Sequence, residues 1–194
     1  DISDPAAVKQ LVAETIERFG RIDLLVNAVG GSTVIADAGV SVEDMTLEEW
    51  ERVITVNLRG TFLCTHAVIP QMKRQGAGRI VNLSSIVARG DNPRTNAAYT
   101  LTKAGIAAMT RKLAIELGPF GITCNATAPG VTVTERIQDR ILSRRSEAEC
   151  REMIDAVPLR RLATPEDQAR VIAFLLSDDA SFVSGQTIEV TGGQ

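Results

Sequence analysis

Four short apolar runs, at residues 22–27 (IDLLVN), 79–83 (RIVNL), 122–127 (ITCNAT) and 186–191 (QTIEVT), are spaced along the chain with long segments between them. Runs of this length, bounded by glycine, proline or serine, are the pattern of strands buried in a parallel sheet. Parallel neighbours must be joined by crossovers of a dozen or more residues, usually helical. The intervals here have that length and carry apolar residues at helical spacing. The chain is therefore predicted to be an α/β protein with a mainly parallel sheet.

The punctuation of the helices supports this division. Asp4 or Ser3 precedes Pro5, and Gly20 follows a segment in which Val8, Leu11, Val12, Ile16 and Phe19 keep one face, which predicts a helix over 5–19. Residues 31–45 have the composition of a loop. Thr46 and Glu49 form a capping box that opens a helix to about residue 75, interrupted by the weak helix formers Asn57 and Gly60. A loop with Gly90, Asn92 and Pro93 leads into a helix that carries Tyr99 and stops at Gly118-Pro119. The charged stretch 134–157 is predicted to form two helical pieces, a mobile substrate lid. Thr164, Pro165 and Asp167 then start another capped helix that runs to about residue 177. With no linker and no repeat, residues 1–194 read as one domain.

Composition excludes several classes of function. The 194 residues are 44% hydrophobic and 23% charged with a net charge of −3, and neither a basic face nor a basic tail is present for nucleic acid. Cys64, Cys124 and Cys150 lack the pair spacing of a zinc site, which leaves reduced thiols and no metal as the expectation. His66 is the one histidine, so a serine–histidine triad would have to use it. Its helical spacing with Phe62 and Ile69 predicts a packed or partly buried side chain instead. No stretch has the length of a membrane span and no signal-peptide pattern opens the sequence, so the expected location is the cytoplasm.

In an open parallel sheet, ligands bind beyond the carboxyl ends of the strands. Asn27 to Gly30, the pair Ser84-Ser85, and Pro129-Gly130 each follow a predicted strand directly. Tyr99 and Lys103, four residues apart, open the helix after the second of these strands and share one helix face. A phenol titrates near pH 10, too high for acid–base work near neutrality, but a neighbouring ammonium favours the phenolate. A serine hydroxyl at the same point could hold a substrate oxygen.

These segments and their order make the sequence resemble the short-chain dehydrogenase/reductase family, with a 3-oxoacyl-reductase-like character. The likeness runs from Asp1-Ile2 through Asn27-Ala28-Val29-Gly30, Asn57, the serine pair, Tyr99 with Lys103, Pro129-Gly130 and Thr134, to the closing DDASFVSGQTIEVTGG. The resemblance implies a Rossmann-like, doubly wound sheet in three α/β/α layers. It implies an oxidoreductase that interconverts a small-molecule secondary alcohol and ketone with NAD or NADP. Tyr99 would be the general acid/base, Lys103 would lower its pKa and bind the nicotinamide ribose, Ser85 would hydrogen-bond the reacting oxygen, and Asn57 would hold a relay water. Asp1 and Ile2 would lie near the adenine and Asn27, Ala28 and Gly30 along the ribose. Pro129, Gly130 and Thr132 would lie beside the nicotinamide, and Thr134 would meet its carboxamide or the phosphates. A homotetramer paired through the long helices is also implied.

The sequence departs from the family in several places. No GxxxGxG turn, the usual pyrophosphate cradle, occurs in the chain. The expectation is a longer natural protein in which a first strand, that turn and two βαβ units, ~60 residues, precede Asp1. Without that first strand, the strand at 22–27 would lie at an edge with an apolar flank exposed. Ala28 replaces a usual second asparagine, and Thr132 stands where an aliphatic residue is common. The interval from Ser85 to Tyr99, 14 positions, is one longer than usual, which keeps Ser84 as an alternative to Ser85. Thr134 could equally cap the lid helix. Arg136, Arg140, Arg144 and Arg145 recur at helical intervals, as a solvated face or as contacts for an anionic substrate group. The missing nucleotide-binding part also leaves a rival reading, a catalytically silent, cofactor-free assembly subunit or fragment.

Overall fold

The strands pair in chain order, β1 (Leu24–Asn27), β2 (Gly78–Leu83), β3 (Ile122–Pro129) and β4 (Thr187–Val190), and every neighbouring pair is parallel. These are the four strands expected from the apolar runs. A computed structural model describes residues 1–140 and 142–194; Ile141, and the side chain of Arg140 among the lid arginines, lie outside the described residues. β1 begins at Leu24, two residues later than predicted. The reason is Gln75, whose side chain accepts from the Ile22 N–H at 2.9 Å and donates to the Ile22 carbonyl at 2.8 Å. With both backbone groups of Ile22 occupied, the ladder to β2 starts beyond it.

The helices match their caps. α1 (Pro5–Phe19) starts at Asp4, which accepts from the Ala6 N–H, and ends at Gly20 with φ 75°. α2 (Leu47–Ile54) opens with the Thr46–Glu49 capping box, and α3 (Gly60–Gln75) continues it after one wide turn, Thr55–Arg59, with π-type hydrogen bonding. The Asn57 side chain donates to the Val53 carbonyl at 3.0 Å, competing with the regular i→i−4 ladder at that turn. α4 (Ala97–Leu117) follows β2. The predicted lid contains α5 (Glu135–Arg140) and α6 (Glu147–Asp155), and α7 (Pro165–Leu176) opens with a Thr164–Asp167 capping box.

One core gathers Ile22, Val68, Met72, Ile80, Leu117, Ile122 and Cys124, covered by side chains of α1, α3 and α4. Val81 alternates to the opposite face of β2 and is also fully buried, under α7. The sheet therefore lies between helices on both faces, as a doubly wound α/β/α arrangement requires. On the α7 face, Leu24 and Val26 of β1 remain 51% and 39% exposed, and the outer edge of β1 has no strand partner among the described residues. The exposed apolar flank expected for this strand is thus present.

A polar ladder crosses the buried side of the sheet. Asn27 donates from Nδ2 to Thr65 Oγ1 at 2.9 Å and to Asn82 Oδ1 at 2.8 Å, and Asn82 donates to Thr110 Oγ1 at 3.0 Å. Two strands are thereby tied to α3 and α4. Leaving any of these buried groups unpaired would cost about 1–3 kcal/mol.

Candidate active site

Tyr99 owes its position to the start of its helix. Asn96 caps α4, accepting from the Tyr99 N–H at 2.8 Å while its own Nδ2 and backbone N–H both bond the Ala38 carbonyl at 2.9 Å. The Tyr99 ring leans on a small apolar cluster of Ile35, Val53 and Ala98, joined by Trp50 and Val40. One turn on, Lys103 is buried, with Nζ donating to the Leu83 carbonyl at 2.7 Å and lying 5.5 Å from the centroid of the Tyr99 ring.

The two serines at the end of β2 separate cleanly. Ser84 is buried and donates to the Lys103 carbonyl at 2.8 Å, joining strand to helix. Ser85 hydrogen-bonds the Tyr99 side chain, and its Oγ lies 3.5 Å from the Pro129 carbonyl and accepts from the Val87 N–H. Ser85, not Ser84, shares the space of the phenol.

The electrostatics differ from the expectation in one respect. Burial pushes the Tyr99 phenol up to about 12, and the groups that oppose this are the Ser85 hydroxyl and the charge of Arg136, not Lys103. Lys103 is pushed down to about 8 by burial, with the like charge of Arg136 adding to the effect. The ammonium faces the π-surface of the ring, and the buried environment dominates both groups.

Asn57 is fully buried, and its Oδ1 accepts from the Gly31 N–H at 2.8 Å while Nδ2 donates to the Gly31 and Val53 carbonyls. Its side chain therefore fastens the loop after β1, and its carbonyl accepts from Thr61 Oγ1 at 2.8 Å. Of the other residues singled out in the sequence, Asn27 commits its side chain to the buried ladder, so only its backbone is open to a ligand. Ala28 is exposed and Gly30 follows it in a conformation with φ 141°. Ile2 packs against Gly60, and the Asp1 carboxylate accepts from the backbone and hydroxyl of Ser3, both at 2.9 Å. Pro129 and Gly130 end β3, where the Gly130 N–H donates to the Val190 carbonyl. Thr132 Oγ1 accepts from Gln168 Nε2 at 3.3 Å. Thr134 is exposed and accepts from the Ile137 N–H at 3.3 Å, a capping contact at the start of α5. His66 is exposed on α3 rather than packed, stacked on Phe62 with 5.6 Å between ring centroids, because that face of the helix points away from the core.

Asn96 and Arg89 were not singled out for the site by sequence reasoning, and Arg136 was singled out only as one of four lid arginines. Asn96 had a signal, an asparagine three residues before the helical Tyr99, which is N-cap spacing. Arg136 was read with the other lid arginines, yet its Nη2 donates to the Gly30 carbonyl at 2.9 Å, across the mouth of the site. Arg89, in the loop after Ser85, forms an ion pair with Glu189 on β4, a contact between residues 100 apart in sequence. Among the described residues no His, Cys, Asp and Glu cluster could hold a metal, and the three cysteines are free.

The nicotinamide-ribose end of a dinucleotide fits this donor set. An ammonium has three N–H donors, and Lys103 directs one to Leu83, leaving others for a ribose diol beside Tyr99. For the pyrophosphate, no glycine-rich turn is present within the chain.

Comparison with known proteins agrees with this geometry. The sequence model of a family described as enoyl-(acyl carrier protein) reductase matches residues 1–194. The chain is 39% identical over 193 residues to the 3-oxoacyl-[acyl-carrier-protein] reductase of Staphylococcus epidermidis, covering 96% of this chain and 72% of the relative. It is similar to the crystal structure of a 3-oxoacyl-[acyl-carrier protein] reductase with bound NAD from Brucella melitensis, with a TM-score of 0.84 and 37% identity over 100% of this chain and 68% of the other. The structure of ElxO with NADP bound matches with a TM-score of 0.89 and 29% identity, covering 99% of this chain and 75% of the other. The parallel sheet, the Ser85–Tyr99–Lys103 cluster and these likenesses along its whole length place the chain in the short-chain dehydrogenase/reductase family of oxidoreductases.

Proposed function

We propose that the chain interconverts a secondary alcohol and a ketone, with Tyr99 as the general acid/base. The observation that carries this reading is the meeting of Ser85, Tyr99 and Lys103 beyond the carboxyl ends of β2 and β3. The cofactor is NAD or NADP, and when bound it supplies or accepts the hydride at the carbon. The chain contributes position and proton handling. In reduction, the Tyr99 hydroxyl gives its proton to the substrate oxygen while Ser85 hydrogen-bonds that oxygen from the other side. Lys103 orients the ribose hydroxyls, and the phenolate left behind is stabilised by the Ser85 hydroxyl and the charge of Arg136. Asn57 keeps the Gly30–Gly31 turn in place and offers the backbone of its wide turn to a relay water. The backbones of Asn27, Ala28, Gly30, Pro129, Gly130 and Thr132 and the hydroxyl of Thr134 would line the dinucleotide, with Asp1 and Ile2 toward the adenine.

On this reading, residues 1–194 form one Rossmann-type domain and residues 134–157 its substrate lid. We also propose a homotetramer and a cytoplasmic location. Among the described residues no helix is long and apolar enough to cross a membrane. The outward face of α4, with Leu101, Ala104, Gly105 and Ala108, lines an open apolar groove of about 880 Å³, a surface suited to close helix packing between copies.

The test is Tyr99→Phe assayed with NADH and NADPH against a panel of ketones. Turnover should fall by at least ~10³-fold with the fold intact, since the proton donor is removed. Full activity in this variant would sink the assignment. The rival reading, a cofactor-free assembly subunit, predicts no saturable binding of either nucleotide to the folded wild-type chain.

A further inference from the structure

We infer that Arg136 is the anion-receiving residue of this site, binding the oxyanion of a ligand that approaches Tyr99 and Lys103: a carboxylate borne by the substrate or a phosphate borne by the dinucleotide. The inference rests on the reading of Ser85, Tyr99 and Lys103 as the reacting cluster.

Its reach to the loop after β1 sets Arg136 apart from the other described arginines in and after the lid. Arg145 lies beside Glu149, Arg160 beside Asp155 and Arg161 beside Asp167, whereas Arg144, Arg151 and Arg170 form no ion pair among the described residues. Arg136 has no carboxylate partner among the described residues. Its guanidinium reaches from the first turn of α5 to the loop after β1, donating to Gly30 and lying 2.5 Å from the point where a Cβ on Gly31 would be. Only a residue without a side chain lets it come so close to the backbone there.

From that position its charge is felt by both Tyr99 and Lys103. Lys103 donates to Leu83 at the end of β2 and Arg136 to Gly30 just beyond the end of the adjacent β1, and among the described residues neither cation is paired with a carboxylate. A second cation beside the buried Lys103 is unfavourable on its own, and an anion between them would reverse the sign of the interaction. A guanidinium offers a planar fork of donors that matches carboxylate or phosphate oxygens, and only one contact of that fork is occupied by Gly30. The bond to Gly30 is exposed and neutral on the acceptor side, so exchanging it for a charged acceptor costs little.

Binding measurements test this without relying on turnover. Ligand-observed NMR compares acetoacetate with methyl acetoacetate, and nicotinamide fluorescence compares reduced nicotinamide mononucleotide with reduced nicotinamide riboside. Wild type, Arg136→Gln and Arg136→Lys are each titrated. Wild type should prefer the anionic member of at least one pair about tenfold. Gln should abolish that preference without changing the affinity of the neutral member, and Lys should restore part of it. Loss confined to the acetoacetate pair assigns the anion to the substrate, and loss confined to the nucleotide pair assigns it to the dinucleotide. A preference that survives in Arg136→Gln, equal binding of both members of each pair, or binding of none of the four overturns the inference. Failure of the oxidoreductase reading is distinguishable, since it would leave these preferences intact while no NADH or NADPH is consumed.

Discussion

Ser84 donates its hydroxyl proton to the carbonyl of Lys103 at 2.8 Å, which ties the end of β2 to the middle of α4. The neighbouring Ser85, turned the other way by the alternation of extended backbone, meets Tyr99 instead. The two serines should therefore respond to alanine in opposite ways. Ser84→Ala should lower stability in urea by about 1 kcal/mol and leave kcat within a few-fold of wild type. Ser85→Ala should leave the urea midpoint almost unchanged and reduce kcat by about 10²–10³-fold. A large activity loss in Ser84→Ala with an active Ser85→Ala would reverse the assignment.

Lys103 gives the fold a pH dependence of defined sign. Its folded pKa is about 8, below the unfolded value of about 10.4. Between these values the unfolded chain holds more protons, so stability rises with pH through that window and carries the full penalty below pH 8. The gain from pH 7 to pH 9.5 should be on the order of 2 kcal/mol. Tyr99, pushed up to about 12, stays neutral in both states over this range, and its effect enters only as pH rises beyond about 10. Urea denaturation of wild type and Lys103→Met at the two pH values isolates the contribution. Equal pH slopes in the two proteins would show that Lys103 is not strained by its burial.

Local order was legible in the sequence because it depends on residues close together in the chain. Pro5 with Asp4, the Thr46–Glu49 box and the stop at Gly118 mark helix ends through short-range hydrogen bonds and backbone preference. The Tyr99 and Lys103 pair was legible for the same reason, since four residues are one helical turn. Contacts fixed by tertiary folding were not. Nothing near Ile22 reveals that Gln75 will occupy its backbone, and nothing near Asn27 reveals that Thr65 and Asn82 will take its side chain. The sequence leaves Arg136 in a row of arginines open to solvent or to an anionic substrate group, because its partner, Gly30, lies 106 residues away.

Asn57 holds Gly31 by both its N–H and its carbonyl from inside the wide turn between α2 and α3. Asn57→Ala removes both bonds and leaves a buried N–H unpaired, so a loss of about 2–3 kcal/mol in urea denaturation is expected. The loosened Gly30–Gly31 turn should also weaken NADH or NADPH binding. Unchanged nucleotide affinity in a variant destabilised by this amount would confine Asn57 to a structural role.

Gly30 tests the same contact from the other side. Its φ of 141° is one that side chains rarely adopt, and an added methyl would press directly on Asn57 Oδ1. Gly30→Ala should therefore cost about 3 kcal/mol, part from backbone strain and part from expelling the Asn57 carboxamide from Gly31. The second part disappears when the carboxamide is already gone. In the double variant Gly30→Ala, Asn57→Ala, the total loss should fall short of the sum of the single losses by about 1 kcal/mol or more. Additive losses would mean that the alanine at position 30 is tolerated by moving the loop and not by displacing Asn57. The tight approach between these two residues would then not govern the shape of the turn.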